Sequence, residues 1–170
     1  MCLLKSAVLL TAFSSGCLYV SADVASIEQK LDDQKFPGAG PAAGTRVKVS
    51  HEFVMNIGDS LDGLASTAAL TRMTFTPTSG VSKMDFIFGL TVTAKGDGTV
   101  PDAVIATFSQ GMALASNGAI DAKVTDVDLA PYFKKSLMFE LAVDVAAPAP
   151  DWSLGVEAEY RASTDEKIQP

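Results

Sequence analysis

The chain has 170 residues, enough for one domain with a hydrophobic core and too few for two comfortable ones. Apolar residues make up 48% and charged residues 19%, a globular rather than a disordered composition. The formal net charge of −7, with no basic cluster beyond Lys134-Lys135, speaks against a nucleic-acid partner, because phosphate binding needs concentrated positive charge.

The N-terminal stretch MCLLKSAVLLTAFSSGCLYVSADVAS carries one early positive charge, Lys5, then an apolar run from Ala7 to Phe13, then small residues. This is the layout of an export signal, and the run is too short to form a stable membrane span. Ser14-Ser15-Gly16-Cys17 resembles a bacterial lipobox, in which the cysteine thiol receives a diacylglycerol; Ser14 departs from the Leu usual at that place. The resemblance implies a signal peptide over 1–16, lipidation at Cys17 and a membrane partner reached through that anchor. With Leu18 rather than Asp after the cysteine, it also implies the outer membrane. Val20-Ser21-Ala22 offers a second cleavage point, which would give an unlipidated secreted or periplasmic chain.

Both cysteines, Cys2 and Cys17, lie in this leader region. The rest of the chain therefore has no disulfide framework and no thiolate metal site. From Ala22 to Thr45 the first half could form a short polar helix, while FPGAGPAAG has linker composition and no periodic apolar face. The expectation is a flexible tether over 17–45.

From Arg46 the period becomes two. In RVKVSHEFVMNI, the residues Val47, Val49, His51, Phe53, Met55 and Ile57 share one face. The same alternation places Met84, Phe86, Phe88, Leu90, Val92 and Ala94 together in KMDFIFGLTVTAK. It recurs with Leu137, Phe139, Leu141, Val143 and Val145 in SLMFELAVDV, and with Trp152, Leu154, Val156, Ala158 and Tyr160 in WSLGVEAEYRA. Weaker strands are expected at Leu70 to Thr76, Ala103 to Phe108 and Ile120 to Val127. Turn signals at Pro77 to Gly80, Lys95 to Gly98, Ser116 to Gly118 and Ala146 to Asp151 separate the runs. Asp128 to Lys135 reads as one short helical turn capped by Asp128.

The pattern predicts an all-β fold, an antiparallel β-sandwich of about seven to eight strands over 46–162, followed by a polar tail over 163–170. The aromatic residues on the inward faces are read as core rather than as ligand-stacking groups.

Two chemical readings remain to be weighed. Gly58-Asp59-Ser60-Leu61 resembles the nucleophile block of the GDSL-type hydrolases. That family places a histidine near the C-terminal end on an alternating strand–helix scaffold, whereas the single histidine here is His51, upstream and on the apolar face. An alcohol without an adjacent base is a weak nucleophile, so no catalytic residue is assigned and an enzyme is not expected. Asp97, Asp126 and Asp128 could gather around calcium at a loop end, but their spacing matches no closed motif, and turn formation and helix capping account for them. No metal site and no cofactor are expected.

The segment from Gly80 to Tyr160, with Met84-Asp85-Phe86-Ile87, Gly96-Asp97-Gly98 and Val124-Thr125-Asp126-Val127-Asp128-Leu129-Ala130-Pro131-Tyr132-Phe133-Lys134, resembles a group of uncharacterised bacterial envelope lipoproteins with small all-β domains. The resemblance implies a non-enzymatic cell-envelope lipoprotein, a tethered binding or structural module with a protein or glycan partner. The alternative is a secreted module that binds calcium or carbohydrate at its loop end.

Overall fold

The computed structural model describes residues 18–55, 67–132 and 137–168. The signal segment 1–16, Cys17, the Gly58-Asp59-Ser60-Leu61 block and the Lys134-Lys135 pair lie outside the described residues. Nine strands run through the described part: β1 (Leu18–Phe36), β2 (Arg46–Met55), β3 (Thr67–Ser79), β4 (Ile87–Ala94), β5 (Ala103–Ser109), β6 (Ile120–Asp121), β7 (Lys123–Val124), β8 (Leu137–Ala146) and β9 (Trp152–Ile168). They form two antiparallel sheets, four-stranded in the order β1-β9-β3-β6 and five-stranded in the order β2-β8-β4-β5-β7. The all-β sandwich expected from the alternating runs is the observed architecture.

One contiguous core lies between the sheets. Met73, Phe75, Leu154, Ala158 and Tyr160 contribute from the four-stranded side, and Leu90, Val92, Phe139, Leu141 and Val143 from the five-stranded side. Strand β8 shows the cleanest alternation, with Leu137, Phe139, Leu141, Val143 and Val145 buried and Met138 and Ala142 exposed. Burial also pushes the Tyr160 hydroxyl well above the usual tyrosine range, because its ionised form would be desolvated. The outer face of the four-stranded sheet carries a solvated ladder of charge. Lys30 meets Glu28 at 3.0 Å and Glu157 at 3.4 Å, and Arg72 meets Glu159 at 3.2 Å and Asp121 at 3.7 Å.

The segment expected as tether is different. Residues 18–36 form β1, which pairs with β9 from Leu18↔Ile168 to Phe36↔Trp152. Only the stretch 37–45, with a short 3-10 turn at Gly40–Ala42, connects it to β2. The reason lies in a bulge. Ile27 and Leu31 pack on the core at odd positions; the register then shifts between Leu31 and Gln34, with Asp33 at φ 57°, and the inward positions become Gln34 and Phe36. A pattern that changes phase after five residues does not read as a strand. The tail expected from 163 is likewise paired backbone, since β9 continues to Ile168.

Two further differences have the same kind of cause. A bulge between Ile87 and Gly89 turns Ile87 inward and Phe88 outward, so Phe88 leaves the face expected for it. There its ring lies 4.6 Å from the Arg46 guanidinium, which is itself held in two-pronged fashion by Asp144 (2.9 and 2.8 Å). The single strand expected over Ile120 to Val127 is two short ones. β6 pairs with β3 and β7 with β5, so the chain crosses from one sheet to the other at Ala122.

Candidate functional site

A cleft of about 470 Å³ opens where β1 ends, β3 ends and β9 begins. Lys35, Phe36 and Pro37 come from the first, Ser79 from the second, and Asp151, Trp152 and Ser153 from the third. The cross-strand register assembles it: Lys35 pairs with Ser153, and Ser79 pairs with Ser153 from the other side, so the three lie in one row across adjacent strands.

Its floor is aromatic. Phe36 and Trp152 are register partners and stack with centroids 4.3 Å apart and planes 14° from parallel, while Phe86 meets the indole edge-on at 5.2 Å. Phe36 covers one indole face, and Trp152 is only 2% exposed, so the indole serves as packing rather than as an open stacking platform.

Its wall is a cluster of hydroxyls. Ser153 Oγ lies 2.7 Å from Thr78 Oγ1 and 2.6 Å from Ser79 Oγ. Consecutive residues of a regular strand point to opposite faces, but the register shift between Pro77 and Ser79 lets both Thr78 and Ser79 reach Ser153. Asp151 accepts the Gly38 N–H at 2.8 Å, tying the β1–β2 connection to the β8–β9 turn. Gly80 closes the far side at φ 74°, where a Cβ would come within 2.0 Å of the Asp151 carbonyl oxygen. Lys35 stands exposed at the rim. This arrangement offers hydrogen bonds and one charge of each sign, Lys35 and Asp151, to a small polar group.

The residues singled out in the sequence sit elsewhere. His51 lies in the seam between β1 and β2, its Nε2 3.0 Å from Gln34 Oε1 and its ring 5.6 Å from Phe36, on the inward face expected for it. Asp97 accepts the N–H groups of Thr99 (3.0 Å) and Val100 (3.2 Å) as well as the Thr99 hydroxyl, an Asx-type turn between β4 and β5. In the same loop the Asp102 carboxyl is pulled below the usual range, first by its hydrogen bond from Lys95 and then by the Gly96 N–H. Tyr132 donates its hydroxyl to the Pro101 carbonyl at 2.7 Å, and burial, aided by the nearby Asp102 charge, raises its pKa.

Asp128 fulfils the capping role read for it and adds a second one. One carboxylate oxygen accepts both the Ala130 N–H (3.0 Å), which opens the 3-10 turn Ala130–Tyr132, and the Ala68 N–H on β3 (2.9 Å). Asp128→Ala would leave the amide of buried Ala68 without its acceptor, with an expected loss of about 1–2 kcal/mol that a urea titration would read as a lower midpoint at unchanged slope.

The cleft was not legible in the sequence. Pro77 and Gly80 bracket the bulge that forms it but carry only a turn signal in the sequence, and Lys35 and Phe36 fall in a stretch of tether-like composition. Neither a protein-family model nor a curated protein sequence matches this chain.

Proposed function

We propose that the chain is a non-enzymatic lipoprotein of the bacterial cell envelope, in which an acylated Cys17 anchors a β-sandwich that acts as a binding or structural module at the outer membrane. The observation that carries this reading is the lipobox-like Ser14-Ser15-Gly16-Cys17 standing directly ahead of Leu18, where β1 begins. An anchor at that point would act on the folded sheet itself, through a strand hydrogen-bonded to β9, rather than through a slack spacer. Among the described residues, the cleft lined by Lys35, Ser79 and Ser153 is a candidate place for a ligand.

Each buried methylene adds about 0.8 kcal/mol to membrane retention, so two or more acyl chains make release of an otherwise acidic domain negligible. In a Gram-negative host, mass spectrometry of the mature protein is expected to find a diacylglycerol-modified Cys17. Cys17→Ser is expected to abolish that modification and lipoprotein-type processing. An unmodified mature chain beginning at Asp23 would refute the proposal and favour the secreted binding module.

A further inference from the structure

Strand β2 forms one edge of the five-stranded sheet, and its pairing with β8 fixes which backbone groups remain open. The Thr45 carbonyl accepts the Ala147 N–H at 3.0 Å, so the odd-numbered residues of β2 direct their N–H and C=O groups toward β8. The even-numbered residues Arg46, Lys48, Ser50, Glu52 and Val54 direct theirs outward, where no described strand pairs with them. All five side chains are exposed, and Val54, 43% exposed, lies directly opposite Met138, 41% exposed.

The other edges are protected. β1 is interrupted by the bulge at Asp33, and β6 and β7 are two residues long. β2 instead keeps an unbroken register of ten residues from Arg46↔Ala146 to Met55↔Leu137, without a proline or a bulge. Such an edge is a template for another strand.

We propose that β2 pairs antiparallel with β2 of a second copy of this chain about a two-fold axis at Ser50, joining the two five-stranded sheets into one. The open groups belong to even-numbered residues, so even must face even. The axis at Ser50 meets that condition and allows about ten inter-strand hydrogen bonds. It also sets Lys48 of each copy opposite Glu52 of the other. Among the described residues neither Lys48 nor Glu52 forms a close ion pair in its own chain; Lys48 lies opposite Asp144 and acts on it only through its charge, while that carboxylate is held directly by Arg46. On the inner face Val47 meets Phe53 and Val49 meets His51, covering Val47, Val49 and His51, which the single chain leaves half-buried.

The test is sedimentation velocity of the full chain in density-matched nonionic detergent at concentrations up to about 100 μM, where an interface of modest size is populated. The wild type is expected to sediment as a dimer. Glu52→Lys sets lysine against lysine at both symmetry-related positions and is expected to weaken the dimer by about tenfold or more. Lys48→Glu combined with Glu52→Lys reverses both charges and is expected to restore it, with circular dichroism spectra matching throughout. A wild type that stays monomeric, a Glu52→Lys dimer as tight as wild type, or a double variant that remains weakened overturns the proposal.

Discussion

A chain lacking residues 1–44 is expected not to fold into a stable sandwich, although the composition of those residues reads as leader and tether. The deletion removes all of β1, and with it every cross-strand bond on one side of β9. β9 would change from an interior strand to an edge, exposing a long row of unpaired backbone groups. It would also lose Phe36, which is 3% exposed and stacked on Trp152, and the partial cover given by Ile27 and Leu31. Loss of a buried phenylalanine alone costs about 3–5 kcal/mol, a large share of the 5–15 kcal/mol by which domains are typically stable. Circular dichroism and urea titration should show lost strand signal or aggregation. A shorter deletion of 1–22 is the control: among the described residues β3 pairs with β9 as far as Thr67↔Ser163, whereas Leu18 to Ala22 pair with β9 beyond that point, where they add no residue to the described core, and are expected to be dispensable. A 1–44 deletion that melts within a few degrees of the full chain would show β1 to be an accessory.

Trp152→Ala is expected to cost about 3–5 kcal/mol, the largest effect of any single substitution considered. The indole begins β9 at the point where β1, β9 and the loop preceding β4 meet, with Phe36 across its face and Phe86 at its edge. Truncation would leave a cavity lined by two aromatic rings, Phe36 held by β1 and Phe86 by the turn leading into β4, so little collapse could refill it. Urea unfolding monitored by far-ultraviolet circular dichroism would read the loss without relying on the removed fluorophore. Trp152→Phe should cost less, because a ring would still stack on Phe36. A change below about 1 kcal/mol for Trp152→Ala would mean that the aromatic floor of the cleft contributes little to the fold.

Regular strands were legible in the sequence because they bury one face, and the pleat makes burial a strictly local pattern of period two. β2 and β8 read this way along their described lengths, and β9 does so from Trp152 to Ala162. Asp128 was legible as a cap for the same reason, since a capping carboxylate acts within two residues of itself. Its bond to Ala68, sixty positions away, was not.

What the sequence by itself determined is the fold class: alternation and turn residues are sufficient to make two half-buried antiparallel sheets. Only the tertiary structure decided the rest, wherever a bulge changes the phase of a strand or a partner distant in the chain supplies the burial. Asp33 reverses the faces of β1, Phe88 is turned out to Arg46, and Ala122 carries the chain from one sheet to the other. The cleft depends on such events twice over, since Phe36 faces inward only after the bulge in β1, and Thr78 and Ser79 reach Ser153 together only through the bulge in β3. Its parts come from positions near 36, 79 and 152, brought together by hydrogen-bond register between strands far apart in sequence, a relation that no local window of residues encodes.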